Sequence, residues 1–134
     1  MKAVLVDSNV LLDVATEDPH WLAWSADRLA EQAEVRPLVI NPLIYAEVSV
    51  GFSRVEDLDE VLPLEAFRRE DLPWQAGFLA GKAFLDYRRA GGGKTAPLPD
   101  FYIGAHAAIQ GYGLLTRDAR RFHSYFPTLT LIAP

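Results

Sequence analysis

The 134-residue sequence contains no cysteine and no apolar run of about 18 residues. The lack of cysteine excludes disulfide bonds and thiolate metal ligands, so nothing in the sequence requires an oxidising compartment. The lack of a long apolar run argues against a membrane span. The first residues faintly resemble a signal peptide, but Asp7 interrupts their apolar region and no small-residue cleavage site follows. We therefore expect a cytoplasmic protein that makes no membrane contact.

Half of the residues are hydrophobic and 23% are charged, which is typical of a globular protein. The length predicts that residues 1–134 form a single domain. A formal net charge of −5 gives no overall attraction to nucleic acid. However, residues 1–67 carry 4 basic and 13 acidic side chains, whereas residues 68–134 carry 9 basic and 5 acidic ones. This asymmetry is compatible with a local anion-binding face and equally with solvated helix surfaces.

Short apolar segments alternate with helical patterns along the chain. Strands are predicted at 3–7, 38–41, 113–116 and 129–132, with a weaker edge strand at 62–65. Helices are predicted at 20–34, 42–52, 56–61, 73–89 and 99–110, and a linker at 91–97. The alternation predicts an α/β fold with a mainly parallel sheet and right-handed crossovers.

Four acidic residues stand where a ligand site of such a fold is expected. Asp7 ends the first strand and Asp118 follows the strand 113–116, whereas Glu47 and Asp100 lie early in predicted helices. Ligands of open α/β sheets bind outside the carboxyl ends of the strands, where the strand order reverses. If the strand 113–116 pairs beside the first strand, these four carboxylates converge on one cleft.

Converging carboxylates need a cation. Two charges about 4 Å apart repel by about 4 kcal/mol at an effective dielectric constant of ~20. Oxygen ligands without nitrogen or sulfur donors favour Mg²⁺ or Mn²⁺. Such ions promote phosphodiester hydrolysis by generating hydroxide and by stabilising the leaving oxygen. The four carboxylates therefore predict a catalytic metal site.

Each of these acidic residues also has an ordinary structural interpretation. Asp100 is favoured by the helix dipole and Asp118 is typical of a turn or cap. Glu47 lies in an otherwise apolar helix, where an unpaired carboxylate is costly, and this favours a functional role. Asp7 is the strongest single candidate because it ends a buried strand.

Four segments carry a resemblance to a known family: VLVDSNVLLDV, NPLIYAEVSVGF, PLPDFYIGAHAAIQG, and LLTRDARRF leading to YFPTLTLIAP. They occur in order over essentially the whole chain. The sequence resembles PIN-domain ribonucleases of the VapC toxin type, which belong to type II toxin–antitoxin pairs. The opening and the PDFYIGAHA block are the most specific parts.

The resemblance implies a three-layer α/β/α fold and an endoribonuclease that depends on Mg²⁺ or Mn²⁺. It also implies a homodimer and a cognate antitoxin that occludes the site. The acidic positions of the family fall on Asp7, Glu47, Asp100 and Asp118, which are the expected catalytic residues and metal ligands. The polar positions of the family fall on Ser8, Asn9 and Thr116, which are expected to support the carboxylates.

Basic side chains near these motifs are candidates for contacts with RNA phosphate. They are Arg117, Arg120 and Arg121, together with Arg88, Arg89 and Lys94. Pairing with aspartate or completion of a helix dipole are the alternative interpretations. The apolar helices 42–52 and 73–89, the second with glycines at 77 and 81, offer surfaces for a second subunit or an antitoxin segment.

Two other function classes stay open. A phosphotransfer or phosphatase domain also has an aspartate after its first strand, but Asn9 stands where a second aspartate is expected. A non-enzymatic binding module would use the carboxylates structurally. The segment GGGKT is not a phosphate-binding loop, because Arg88 occupies the position of the first required glycine and a helix precedes it. His106 is interpreted as a packed, hydrogen-bonded residue.

Overall fold

The computed structural model describes residues 1–94 and 98–134. Within these residues a five-stranded parallel sheet has the order β3-β2-β1-β4-β5. Its strands are β1 (Val4–Val6), β2 (Leu38–Ile40), β3 (Phe67–Arg69), β4 (Gly113–Leu115) and β5 (Leu131–Ile132). Since β1 pairs with both β2 and β4, the strand order reverses between β1 and β4.

Helices cover the sheet. They are α1 (Ser8–Ala15), α2 (Leu22–Val35), α3 (Pro42–Ser49), α4 (Val55–Val61), α5 (Trp74–Arg89), α6 (Pro99–Gln110) and α7 (Ala119–Tyr125). Every residue of β1, β2 and β4 is buried, as expected for a parallel sheet with helices on both faces. The three-layer α/β/α prediction is confirmed. Among the described residues, no helix is long and apolar enough to cross a membrane.

Helix boundaries follow local chemistry. The Asn41 side chain accepts a hydrogen bond from the Ile44 N–H at 3.0 Å, and Pro42 takes the first helical position of α3. Gly111 ends α6 in the left-handed conformation, with a φ of 71°. The predicted helices at 42–52 and 99–110 are therefore present, although α3 ends at Ser49.

Three sequence-based assignments differ from the structure. The edge strand predicted at 62–65 is wrong, because the Pro63 carbonyl accepts from the N–H groups of Ala66 and Phe67 in a turn and the strand begins at Phe67. Helices α1 and α7 were not predicted. Each begins within a few residues of a strand end, so no separate linker marks its start. The predicted linker 91–97 includes residues 95–97, which lie outside the described ranges.

The core joins α5, α6 and α7 through aromatic side chains. The rings of Phe84, Tyr87, Phe101 and Tyr125 lie 5.2–6.4 Å apart, centroid to centroid. This packing fixes the amino-terminal end of α6, which carries Asp100, against the carboxyl-terminal part of α5.

Gly104 is a close-packing point of α6. A Cβ added there would lie 2.5 Å from two ring carbons of the buried Phe126. We therefore expect Gly104→Ala to lower the free energy of unfolding by about 1–3 kcal/mol. The matched control is Gly81→Ala in α5, where an added Cβ meets nothing within 4 Å, and it should raise the same quantity by up to about 1 kcal/mol. Urea unfolding measures both, and equal effects would contradict the packing argument.

Candidate active site

Asp7 lies where the strand order reverses and where β1 passes directly into α1. It is the N-cap of α1, and its Oδ1 accepts a hydrogen bond from the Ser8 N–H at 2.8 Å. Its Oδ2 accepts from the Thr116 hydroxyl at 2.8 Å, and Thr116 follows β4. Both oxygens of a carboxylate that is only 3% exposed are thus held in place, one by the first residue of α1 and one by the residue after β4.

The pKa of Asp7 is raised from 3.8 to about 6. Burial is the main cause, and the negative charges of Asp100 and Glu47 add to it, whereas the hydrogen bonds from Thr116 and Ser8 act in the opposite direction. The structure therefore brings together three of the four predicted carboxylates, from β1, α3 and α6.

Glu47 is positioned by α1. Its Oε1 accepts a hydrogen bond from the Ser8 hydroxyl at 3.0 Å. Burial raises the pKa of Glu47, the Ser8 hydrogen bond lowers it, and the charge of Asp100 raises it further. Ser8 therefore contacts two acidic residues, Asp7 through its main chain and Glu47 through its side chain.

Asp100 lies in the first turn of α6, and its Oδ2 accepts from Arg121 Nη1 at 2.7 Å. Asp118 is the N-cap of α7 and its side chain is exposed. It joins the cluster through its main chain, since its N–H donates to Thr116 Oγ1 at 3.0 Å. Its main chain thus contacts the residue that holds Asp7, whereas its carboxylate faces solvent.

The Thr116 hydroxyl is the centre of the supporting hydrogen bonds. It donates to Asp7 and accepts from the Asp118 N–H and, at 3.4 Å, from Asn9 Nδ2. Asn9 Oδ1 in turn accepts from the Arg117 N–H at 3.2 Å. The three predicted supporting residues, Ser8, Asn9 and Thr116, therefore form one connected network around Asp7.

The predicted RNA-contacting residues divide into two groups. Arg117 and Arg121 make ion pairs, with Asp13 and Asp100 respectively. The other four side chains are exposed near the ends of α5 and α7; they are Arg88, Arg89, Lys94 and Arg120. Arg88 Nη1 donates to the Lys94 carbonyl at 2.6 Å, which holds the loop after α5 close to that helix.

Sequence reasoning missed Asp13, a buried acid of α1 that is 2% exposed. Its Oδ2 accepts from Arg117 Nε at 2.7 Å and from the Ser25 hydroxyl at 2.6 Å, and its Oδ1 accepts from Arg117 Nη2 at 3.0 Å. The available signal was the one that identified Glu47, namely a charged residue within an apolar helical segment.

The hydrogen-bond partners of His106 were also not predicted from the sequence. Asn41 Oδ1 caps α3, so its Nδ2 faces His106 Nδ1 at 2.9 Å, and His106 Nε2 is left to donate to Glu70 Oε1 at 3.4 Å. Glu70 Oε2 also accepts from the Tyr112 hydroxyl at 2.6 Å. His106 is fully buried and hydrogen-bonded, in line with its interpretation as a packed residue.

The donor chemistry of the site suits a hard divalent ion. Across residues 1–94 and 98–134, no group of three or more histidine, aspartate or glutamate side chains is arranged to hold a metal ion by itself. Mg²⁺ does not need three protein ligands, because it keeps several waters and binds through one or two carboxylates plus substrate phosphate. Asp7, Glu47 and Asp100 offer only oxygen donors and share a repulsion that a cation would relieve. The residues present therefore fit Mg²⁺ or Mn²⁺.

Comparison with known proteins gives a family and a fold. The family model described as PIN domain matches residues 4–125. Similar solved structures include VapBC2 from Rickettsia felis bound to a DNA fragment from their promoter, with 18% identity, a TM-score of 0.75 and 98% of each chain covered. VapBC-1 from nontypeable Haemophilus influenzae has 19% identity and a TM-score of 0.72, covering 98% of this chain and 97% of that one.

A toxin–antitoxin complex from Klebsiella pneumoniae is 23% identical with a TM-score of 0.63, covering 96% of this chain and 95% of that one. At these identities the solved structures show a shared fold alone. No curated protein matches this chain in sequence.

Proposed function

Since the chain belongs to the PIN domain family, we propose that it is a metal-dependent endoribonuclease, the toxin of a type II toxin–antitoxin pair. The observation that carries the proposal is the buried Asp7 carboxylate, with a pKa raised to about 6 beside the charges of Asp100 and Glu47. A protein gains nothing in stability from three repelling acids, so their arrangement favours a functional role.

The roles of the acidic residues follow from their positions. Asp7 and Asp100 would hold Mg²⁺ or Mn²⁺, aided by Glu47, and the exposed Asp118 would act on waters and substrate. When bound, the ion activates water and offsets charge on the phosphate. Thr116 and Ser8 fix the Asp7 carboxylate in one orientation, so no reorientation is needed when RNA binds.

RNA would be bound through its phosphates. The exposed Arg88, Arg89, Lys94 and Arg120 lie near the ends of α5 and α7, the helices that pack against the amino-terminal part of α6, where Asp100 is found. Arg121 contacts Asp100 itself. Cations placed next to an acidic site can hold a polyanion that the overall charge of −5 would repel.

A homodimer, a cognate antitoxin and a cytoplasmic location complete the proposal. Apolar side chains are exposed on one stripe of α5, where Trp74 is 94% and Phe78 72% exposed. Side chains of this kind are usual at protein interfaces. The solved neighbours named above are toxin–antitoxin complexes, which supports an antitoxin as the partner.

The phosphotransfer alternative is less well supported by the site. Asn9, at the position where that class needs a second aspartate, uses its amide to connect Thr116 with the Arg117 main chain. No group in this arrangement favours an aspartyl-phosphate over a hydrolysed diester.

The test is a cleavage assay with mapped RNA ends. Purified protein is mixed with single-stranded RNA and Mg²⁺ or Mn²⁺, with and without excess EDTA. We expect cleavage that EDTA abolishes and that added Mg²⁺ or Mn²⁺ restores, because the repelling carboxylates need a cation to bind phosphate. Undiminished cleavage in excess EDTA would contradict the proposal, and tight partner binding without metal affinity or cleavage would favour a binding module.

A further inference from the structure

We propose that the Asp13–Arg117 ion pair positions the active site by holding the β4–α7 loop against α1. This inference rests on the proposed nuclease function for its consequence, but its geometry is independent of the reaction. It replaces the interpretation of Arg117 as an RNA contact with a positioning role.

The first observation is that a buried carboxylate is paired with an arginine whose side chain is only 27% exposed. Asp13 is 2% exposed and receives three hydrogen bonds, two from the Arg117 guanidinium and one from the Ser25 hydroxyl. The guanidinium also lies 4.9 Å from the centre of the Trp21 ring. Buried ion pairs contribute little net stability compared with apolar packing, and a two-pronged pair fixes geometry. The ion pair joins the β4–α7 loop to α1, and its geometry therefore indicates a role in positioning that loop.

The second observation is that Arg117 is fixed at its main chain as well as its side chain. Its N–H donates to Asn9 Oδ1 at 3.2 Å, so two residues of α1, Asn9 and Asp13, hold the same loop residue. This double attachment leaves the loop little freedom to move away from α1.

The third observation is that Arg117 separates two site residues. On one side Thr116 donates to Asp7 Oδ2 at 2.8 Å, and on the other the Asp118 N–H donates to Thr116 Oγ1 at 3.0 Å. A displacement of residue 117 would move both. Because misplacement by about 1 Å can cost about 100-fold in rate, the ion pair controls the chemical step through its neighbours.

The experiment compares Asp13→Asn, Arg117→Gln and the double variant with the native chain. We expect each to lower kcat by about 100-fold, with the double variant no worse than either single one, because all three lose the same contact. The KM for RNA, measured with Mg²⁺ or Mn²⁺ present, should not change. The salt dependence of RNA binding, measured in EDTA so that no cleavage occurs, should not change either. Arg54→Gln, which breaks the exposed Arg54–Glu56 pair on α4, is the control and should leave cleavage unchanged.

A readout that does not need cleavage is amide hydrogen exchange by NMR. In Asp13→Asn the Arg117 and Asp118 amides should exchange at least about tenfold faster, whereas the Leu5 amide in β1 should not change. Arg117→Lys keeps the charge but loses the two-pronged geometry. It should give a smaller loss of protection at the same two amides, and it serves as the test variant if Asp13→Asn does not fold.

Two results would overturn the inference. One is unchanged protection of the Arg117 and Asp118 amides in the folded variants. The other is weaker RNA binding with a reduced salt dependence in Arg117→Gln but not in Asp13→Asn, which would make Arg117 a phosphate contact. If the native chain cleaves no RNA while local exchange rises as expected, the positioning role is supported and the proposed function fails.

Discussion

Asp7→Asn is expected to abolish RNA cleavage and, in metal-free buffer at pH 7, to make the protein more stable. The native fold raises the pKa of Asp7 from 3.8 to about 6, so ionising this buried group opposes folding. A shift of this size corresponds to about 3 kcal/mol at neutral pH. An asparagine side chain carries no charge and keeps an oxygen that can accept from the Ser8 N–H, so most of that penalty disappears.

The pH dependence of the free energy of unfolding shows whether the stabilisation comes from removing the Asp7 charge or from improved packing. The native state binds a proton at Asp7 more strongly than the unfolded chain does. The stability of the native protein should therefore fall as pH rises from about 4 to above 6, relative to the Asn variant. The gain from the substitution should vanish below about pH 4.

Urea unfolding between pH 4 and pH 7.5, alongside the cleavage assay, measures both effects. The matched control is Asp27→Asn, at an exposed position of α2, which should change the free energy of unfolding by less than about 0.5 kcal/mol and leave cleavage intact. Retained cleavage in Asp7→Asn, or a loss of stability at pH 7, would be inconsistent with the site described.

Thr116→Val is expected to damage the site and the fold together. Thr116 is fully buried, and its hydroxyl donates to Asp7 while accepting from the Asp118 N–H. Valine has a similar shape but leaves the Asp118 N–H without this partner, which we expect to cost about 1–3 kcal/mol. Loss of the hydrogen bond to Asp7 should also raise the pKa of Asp7 above about 6, since that bond is the main influence lowering it.

NMR titration of the Asp7 carboxyl carbon in metal-free protein measures the pKa, and the cleavage assay measures the rate. Thr116→Ser keeps the hydroxyl and should preserve both. An Asp7 pKa in Thr116→Val that equals the native value would show that the hydroxyl does not act on this carboxylate.

The sequence was most informative where one residue satisfies two local requirements. Asp7 is both the end of a buried strand and a helix cap, and Asn41 with Pro42 marks the start of α3. Pairing of the strand 113–116 beside the first strand was a condition of the predicted cleft, and β1 does pair with β4. The family resemblance added the layer arrangement, which local patterns alone do not define.

What could not be predicted depends on contacts between distant segments. Asp13 and Arg117 are 104 residues apart, so neither segment alone indicates that the two side chains pair. The edge strand was misplaced because LPLE at 62–65 contains two leucines, whereas Phe67–Arg69, with two arginines, is stabilised by pairing with β2. For Arg121 the sequence left a contact with RNA and pairing with an aspartate both open, and its contact with Asp100 depends on how α7 packs beside α6.

The position of β4 beside β1 has a consequence for synthesis on the ribosome. Asp7 emerges early, but the hydroxyl that orients it belongs to a residue 109 positions later. A nascent chain that extends only through α6 therefore has its first acid but neither β4 nor the loop that follows it. The order of translation therefore leaves the candidate site unassembled until β4 and the loop after it have been made.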